Sequence, residues 1–290
     1  MNYETSLIQI NKHILIKLEM NNISGSHKYR AARYIVENAI ETGDIDHTTT
    51  VIEKTGGNFG FGLLAVCLER NIPVELAIGL SFSKEKKSKL KNLGAILIGN
   101  EMLSEGKTPR EVVEWHLENQ KILGKKYYYT NQFFNIGSYL AHLETGNEIA
   151  KQLKKLYSRV TKVIFIGCAG TGASFAGVSD SLEKNGYLIK RVLVEPKGCD
   201  SKNSIFNDHS MEGMSVGVKP PFLNWDNIDE YQYVEDKDLN LIKKEAYKDT
   251  GFLIGNTSAA CYRIAKSYHQ YCSEECIVLT FFYDSGIWYQ

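Results

Sequence analysis

The chain has 290 residues, of which 43% are hydrophobic and 23% charged, so it can form a sizeable core that divides into two lobes. Lys plus Arg equals Asp plus Glu at 34 each, and this balance excludes an overall field that would attract nucleic acid or an anionic membrane. No stretch approaches the roughly 18 apolar residues of a membrane span, and the first residues lack the pattern of a signal peptide. We therefore expect a cytoplasmic protein with small-molecule partners.

Short apolar runs rich in β-branched residues alternate with longer amphipathic runs. In chain order, the predicted strands are 48–53, 74–80, 95–99, 162–167, 191–196 and 276–282, and the predicted helices are 61–71, 84–94, 110–120, 138–156, 174–186, 238–251 and 258–270. This alternation predicts an α/β fold in which open, mostly parallel sheets carry helices on both faces.

The six cysteines are scattered, which indicates reduced thiols with structural roles. Only Cys272 and Cys276 are close in sequence, and no second ligand pair at zinc-binding spacing accompanies them. A metal site is therefore not expected.

Two turns that follow predicted strands are rich in glycine and hydroxyl residues, and ligands of open parallel sheets bind at such turns. The turn after 162–167 consists of Gly170, Thr171, Gly172, Ala173 and Ser174. Its N–H groups and hydroxyls can converge on a phosphate at the positive end of the next helix. A purely structural glycine turn remains an alternative. So does a nicotinamide or flavin protein, because Glu195 ends the next strand as a ribose-binding acid would.

The turn after 48–53 reads KTGGNFG and offers the hydroxyl of Thr55 and the amide of Asn58. Such a loop can wrap around a carboxylate-bearing ligand, although either residue could equally cap a helix. Near the N-terminus, NNISGSHKYRAARY places Lys28 behind small polar residues at the start of a predicted helix. A phosphate cradle, an amide loop and a lysine are the groups that pyridoxal phosphate needs, although most lysines are solvated surface charges.

The segments TSLIQI, IKLEMNNISGSHKYRAA, EKTGGNFGFGLLAV, NQFFNIGSYLAHLETGNEI, GCAGTGASFAG, VLVEP, MEGMSVGVKP, GNTSAA and YDSG follow one another in this order. In that order they resemble the cysteine synthase (O-acetylserine sulfhydrylase)/cystathionine β-synthase family of fold-type II, tryptophan synthase β-like pyridoxal-phosphate enzymes. The resemblance extends from Thr5 to Tyr289. It implies pyridoxal 5'-phosphate as cofactor, an amino acid and a small nucleophile as substrates, and a homodimer.

The resemblance also implies roles for individual residues. Lys28 would form the Schiff base, and Asn58 would hold the phenolic oxygen of the ring. The phosphate would be held by Gly170, Thr171, Gly172, Ala173 and Ser174, and the α-carboxylate of the substrate by Thr55, Gly56, Asn58 and Gln132. Thr257 would place a hydroxyl against the pyridine nitrogen, which favours loss of a β-leaving group over racemisation or transamination.

The implied reaction is β-replacement on a serine-derived donor, of the O-acetylserine or O-phosphoserine type, through an α-aminoacrylate. A β-eliminating lyase, either a dehydratase or a desulfhydrase, remains an alternative. A binding or regulatory protein that kept only the fold is another. The implied lobes are 22–132, with a mobile segment at about 75–120 that closes on substrate, and 1–21 together with 133–290. The cofactor is expected in the cleft between the lobes.

Several residues depart from the family pattern. Gly56 and Phe59 replace a serine and a threonine of the loop T-S-G-N-T-G, and Tyr29 stands where an acid or a small residue is common. Ser215 and Val216 replace small residues of a loop expected to roof the site. Because these changes concentrate around the substrate, we expect an altered donor or nucleophile on an unaltered cofactor chemistry.

Overall fold

The computed structural model describes residues 4–289. The strands are β1 (Leu7–Asn11), β2 (Ile14–Lys17), β3 (Thr49–Glu53), β4 (Val74–Leu76), β5 (Ile96–Leu97), β6 (Lys126–Tyr129), β7 (Lys162–Cys168), β8 (Leu188–Pro196), β9 (Glu230–Val234) and β10 (Cys276–Phe281). The α-helices are α1 (Lys28–Glu41), α2 (Asn58–Leu68), α3 (Lys84–Asn92), α4 (Asn100–Ser104), α5 (Pro109–Glu118), α6 (Gln120–Leu123), α7 (Gly137–Leu156), α8 (Ala173–Lys184), α9 (Leu239–Thr250) and α10 (Asn256–Tyr268). Every predicted strand and helix is present, with ends shifted by a few residues.

The chain divides into two compact units, Lys28–Ser138 and Met1–His27 with Tyr139–Gln290. The unit Lys28–Ser138 contains a four-stranded sheet in the order β5-β4-β3-β6, and all of its strand pairs are parallel. Strand β3 is buried along its whole length because it lies inside the sheet, and its burial includes the polar residues Thr49, Thr50 and Glu53. Helices α1 and α2 of this unit pack against each other.

The other unit contains a six-stranded sheet in the order β1-β2-β10-β7-β8-β9. Strand β1 pairs with β2 in antiparallel orientation, and the remaining pairs are parallel. In the core, the ring of Phe165 stacks on Phe175 with centroids 5.4 Å apart and packs at a tilt against Phe281 at 5.5 Å. The prediction of an α/β fold with mostly parallel sheets is therefore confirmed.

The N-terminal hairpin is fixed by a buried lysine. Lys17 is fully buried and donates to the carbonyl oxygen of Thr5 at 2.6 Å, to the Gln152 side chain at 2.9 Å and to the carboxylate of Glu148. A buried charge needs such partners to offset its lost hydration. These bonds attach β2 to helix α7 within the same unit.

Within residues 4–289, no helix has the length and the apolar character that crossing a membrane requires.

Candidate active site

Lys28 is the first residue of helix α1, where the sequence places it. Gly62 of α2 lies against this end of α1. A Cβ atom at Gly62 would be 3.2 Å from the Cα of Tyr29 and 3.3 Å from the carbonyl oxygen of Lys28. The missing side chain at position 62 therefore allows α2 to approach the backbone that carries Lys28.

The residues just before Lys28 are held by the chain segment at Tyr283 and Asp284. The backbone N–H of His27 donates to the carbonyl oxygen of Tyr283 at 2.8 Å, and Ser26 forms an antiparallel bridge with Asp284. Among the residues that the structure describes, the hydroxyl of Ser26 is buried without a hydrogen-bond partner. A buried hydroxyl in this state is costly unless a bound group satisfies it.

The loop predicted to receive a carboxylate lies between β3 and α2. The residue that precedes α2 is Gly57, and it supplies no side-chain cap, so neither Asn58 nor Thr55 caps this helix. Thr55 Oγ1 instead accepts a hydrogen bond from the N–H of Gly57 at 3.4 Å. The first N–H groups of any helix lack intrahelical acceptors, so this end of α2 is suited to an anion.

Glu53, which the sequence analysis did not single out, joins this loop to the loop that contains Gln132. Its carboxylate is fully buried and accepts hydrogen bonds from the N–H of Lys54 at 2.8 Å, the N–H of Gln132 at 3.0 Å and the hydroxyl of Thr130 at 2.6 Å. Burial raises the pKa of Glu53, and the hydrogen bonds offset only part of this rise. The structure thus brings the loops of Thr55 and Gln132 together around one carboxylate. The only feature of the sequence that could have indicated this role of Glu53 is an acidic residue at the end of a predicted strand.

Gly56 and Phe59, the two departures from the family pattern between β3 and the start of α2, have different surroundings. Phe59 is 2% exposed, so its ring is buried in the protein interior. Gly56 is also buried, and the space where its side chain would lie is filled by Ile78 and Phe82.

The glycine turn between β7 and α8 has its backbone oriented for an anion. The carbonyl of Ala169 accepts from the N–H of Ser215 at 2.9 Å, and the carbonyl of Thr171 accepts from the N–H of Phe222 at 3.2 Å. Because C=O and N–H point in opposite directions across a trans peptide, the N–H groups of Gly170 and Gly172 point away from these partners. The N–H of Ala173, at the start of α8, donates to the hydroxyl of Thr171 at 3.2 Å, so the turn also orders its own side chain at this helix end, which is suited to an anion.

Both glycines of this turn are required by close neighbours. A Cβ atom at Gly170 would lie 2.5 Å from the carbonyl oxygen of Gly213, and one at Gly172 would lie 2.7 Å from Leu223. Gly172 also has φ +84°, a conformation that other residues rarely adopt. Packing against Gly213 and Leu223 thus requires both glycines, and the N–H groups of the turn at the start of α8 fit a phosphate.

Thr257 is the second residue of α10, and Gly255 precedes the helix as its cap residue. The Thr257 hydroxyl donates to the carbonyl oxygen of Glu212 at 2.7 Å. A hydroxyl has one proton, so Thr257 can donate to a ring nitrogen only by giving up this bond. Gly170 and Thr257 both contact the segment 212–213, which places the phosphate turn and Thr257 beside the same short stretch of chain.

Ser215 is buried and its side chain points into the protein. Its hydroxyl donates to Glu195 at 3.3 Å and accepts from the hydroxyl of Ser201 at 3.0 Å. Glu195 is itself buried and accepts from the N–H of Ser201 at 2.9 Å. Glu195 therefore anchors the segment after β8 and is not placed to bind a ribose, whereas Val216 is exposed.

An α/β fold with a glycine turn between a strand and a helix, at a helix end suited to an anion, is typical of proteins that bind phosphorylated ligands. The family model described as pyridoxal-phosphate dependent enzyme matches residues 3–282. The chain belongs to this family, and its cofactor is pyridoxal 5'-phosphate. The resemblance inferred from the sequence is confirmed, and the dinucleotide alternative is not.

Characterised relatives match over nearly the whole chain. Cysteine synthase of Helicobacter pylori (strain J99) is 30% identical over 281 residues, which are 96% of this chain and 88% of that protein. O-acetylserine dependent cystathionine beta-synthase of Bacillus subtilis (strain 168) is 28% identical and covers 94% of this chain and 86% of its own length. The solved structure of a hydrogen sulfide-producing enzyme from Fusobacterium nucleatum has a TM-score of 0.83 and 30% identity, with 99% of this chain and 95% of that chain covered.

Proposed function

We propose that this enzyme catalyses β-replacement on a serine-derived amino acid, with a donor of the O-acetylserine or O-phosphoserine type. Sulfide, or another small thiol or amine, is the nucleophile. The observation that carries the proposal is the near full-length match to a cysteine synthase and to an O-acetylserine dependent cystathionine beta-synthase. A hydroxyl at position 257, in place of an acid, agrees with this reaction type.

Bound pyridoxal phosphate supplies an electron sink for the electrons left at Cα when its proton is removed. Lys28 would hold the cofactor through its Nζ. The same amine, once released by the amino group of the substrate, would be the base that takes the α-proton and the acid that returns it. The glycine turn 170–174 would hold the phosphate, and Asn58 would orient the ring through its phenolic oxygen.

The α-carboxylate of the substrate is received by Thr55, Gly56, Asn58 and Gln132. The positive end of α2 attracts a carboxylate. Glu53 accepts from the N–H groups of Lys54 and Gln132 and so fixes one backbone position in each of the two receiving loops. Thr257 is a very weak acid and leaves a pyridine nitrogen unprotonated. An unprotonated ring would withdraw electrons from Cα only moderately. This favours expulsion of the β-substituent over return of the proton to Cα.

A β-eliminating lyase is the second candidate. It is favoured by the absence of a hydroxyl at Gly56 and by the structural likeness to a hydrogen sulfide-producing enzyme. Product analysis with O-acetylserine and O-phosphoserine, each with and without sulfide, separates the two. We expect a β-substituted alanine when sulfide is present. Pyruvate as the sole product under all conditions would refute replacement.

The role of Lys28 is tested by spectroscopy and labelling. The purified protein should be yellow, with a Schiff-base absorbance band that is lost in Lys28→Ala and kept in the control Lys54→Ala. Borohydride reduction and peptide mapping should place the adduct on Lys28. An adduct on another lysine would refute this assignment, and a colourless protein that binds no pyridoxal phosphate would favour a binding or regulatory protein.

We also propose that the enzyme is a cytoplasmic homodimer and that the segment of about 75–120 closes on the substrate. Closure would exclude water from the reacting groups. Size-exclusion chromatography with light scattering tests the dimer. Hydrogen exchange with and without O-acetylserine tests the closure, because protection should rise within this segment in addition to the loops that receive the carboxylate.

A further inference from the structure

The loop Thr55–Asn58 contains two consecutive glycines and is covered by an aromatic ring. A Cβ atom built on Gly56 would lie 2.7 and 2.8 Å from two ring carbons of Phe82 and 2.7 Å from Cγ2 of Ile78. These distances are too short for any side chain at position 56 unless its neighbours move. The absence of a side chain at Gly56 and the position of the Phe82 ring are therefore complementary.

Phe82 is held in place on both sides along the chain. Its own N–H donates to the carbonyl oxygen of Gly79 at 3.1 Å, which closes a turn. The next residue, Ser83, caps helix α3 by accepting from the N–H of Lys86 at 3.3 Å. The ammonium group of Lys86 lies 5.7 Å from the centre of the Phe82 ring, a cation–π distance that further fixes the ring.

The loop needs such support for a physical reason. Glycine loses more backbone freedom on ordering than any other residue, so Gly56 and Gly57 would make this loop flexible by themselves. A loop that binds a carboxylate through backbone N–H groups must hold those groups in one orientation, because ordering them upon binding lowers the affinity. Packing of Phe82 and Ile78 on Gly56 supplies the order.

We propose that Phe82 is a positioning residue for the α-carboxylate of the amino-acid donor. Its ring takes over the packing that a side chain at position 56 would supply, and it holds the Gly56 N–H and the Thr55 hydroxyl, which accepts from the N–H of Gly57, in the orientation that receives the carboxylate. Recognition of the donor then depends on the backbone at Gly56 and on Thr55, Asn58 and Gln132, with an apolar ring where the family pattern has a hydroxyl. This inference rests on the proposed function, because it assumes an amino-acid donor.

The test compares Phe82→Ala with Phe82→Leu and with the control Leu80→Ala, whose side chain is exposed in the same segment. The holoenzyme is titrated with O-acetylserine and, separately, with O-phosphoserine. Binding is followed by the change in cofactor absorbance, and KM and kcat are measured in parallel. For Phe82→Ala, the dissociation constant and KM should rise about tenfold, corresponding to the ordering of roughly one backbone residue, with a smaller change in kcat. Phe82→Leu should restore most of the affinity, and Leu80→Ala should match the wild type.

A double-mutant cycle tests the pairing itself. Gly56→Ala should weaken donor binding strongly in the wild-type background and less in the Phe82→Ala background, because one of the two clashing side chains is then gone. Additive effects would overturn the inference. It would also be overturned if Phe82→Ala kept its cofactor and bound both donors with unchanged affinity. Should Phe82→Ala fail to fold, the graded pair Phe82→Leu and Phe82→Val decides by the same measurements. If the wild-type protein carried no cofactor on Lys28, that result would instead refute the proposed function.

Discussion

Replacing Glu53 by glutamine should loosen both loops that are predicted to receive the substrate carboxylate. The Glu53 carboxylate accepts from three donors, with Lys54 on one oxygen and Thr130 and Gln132 on the other. A glutamine side chain has one accepting oxygen and one NH₂ group, so in either orientation one backbone N–H faces the NH₂ group. One buried donor left without an acceptor costs about 1–3 kcal/mol. We therefore expect Glu53→Gln to lower the free energy of unfolding by about that amount at pH 5.

The loss should depend on pH in a defined direction. Burial raises the pKa of Glu53 above its ordinary value of 4.5, so the folded protein holds this proton more tightly than the unfolded chain. That contribution to stability is complete below the unfolded pKa and is lost as the pH rises through the folded pKa. Glutamine does not titrate. The stability difference between the wild type and Glu53→Gln should therefore shrink as the pH rises from 5 to 8.

Urea unfolding followed by circular dichroism, at several pH values, measures this difference. Glu75→Gln is the matched control, because Glu75 is also buried but accepts from Tyr127 and Lys125 and not from residues of either loop. Both variants should lose stability, but only Glu53→Gln should raise KM for the amino-acid donor. Equal KM values for the two variants, or a stability difference that widens toward pH 8, would refute the reasoning.

Three other predictions concern different parts of the molecule. Gly62→Val should destabilise the protein by about 1–3 kcal/mol, since its Cβ would lie 3.2 Å from the Cα of Tyr29; an unchanged melting temperature in calorimetry would contradict it. Thr257→Val should cost about 1 kcal/mol through loss of the hydrogen bond to the Glu212 carbonyl, whereas Thr257→Ser should retain it; equal unfolding midpoints for the two variants would count against that bond. Burial raises the pKa of Cys67 to about 12, so iodoacetamide at pH 8 should label this thiol only after unfolding, as peptide mapping would reveal.

The sequence predicted secondary structure best for segments that are buried along their whole length. Strands β7 and β10 are buried on both faces and read as nearly continuous apolar runs, and the equally buried β3 is rich in β-branched residues, so all three were predicted. Strands β6 and β9 lie at sheet edges, are only partly buried and mix tyrosine with charged or polar residues. Their side chains carry no clear period, so only the pairing with a neighbouring strand identifies them.

By itself the sequence determined the α/β fold, the family, the cofactor, and the candidate lysine and glycine turn. These depend on local composition and on the order of motifs along one chain. Tertiary structure alone decided that Glu53 joins Lys54 to Gln132 and that Phe82 covers Gly56. It also decided that the Thr257 hydroxyl is bonded to a carbonyl of the segment beside Gly170. The physical reason is that a hydrogen bond or a packing contact depends on which distant segments the sheet brings to the same edge, and no local pattern encodes that distance.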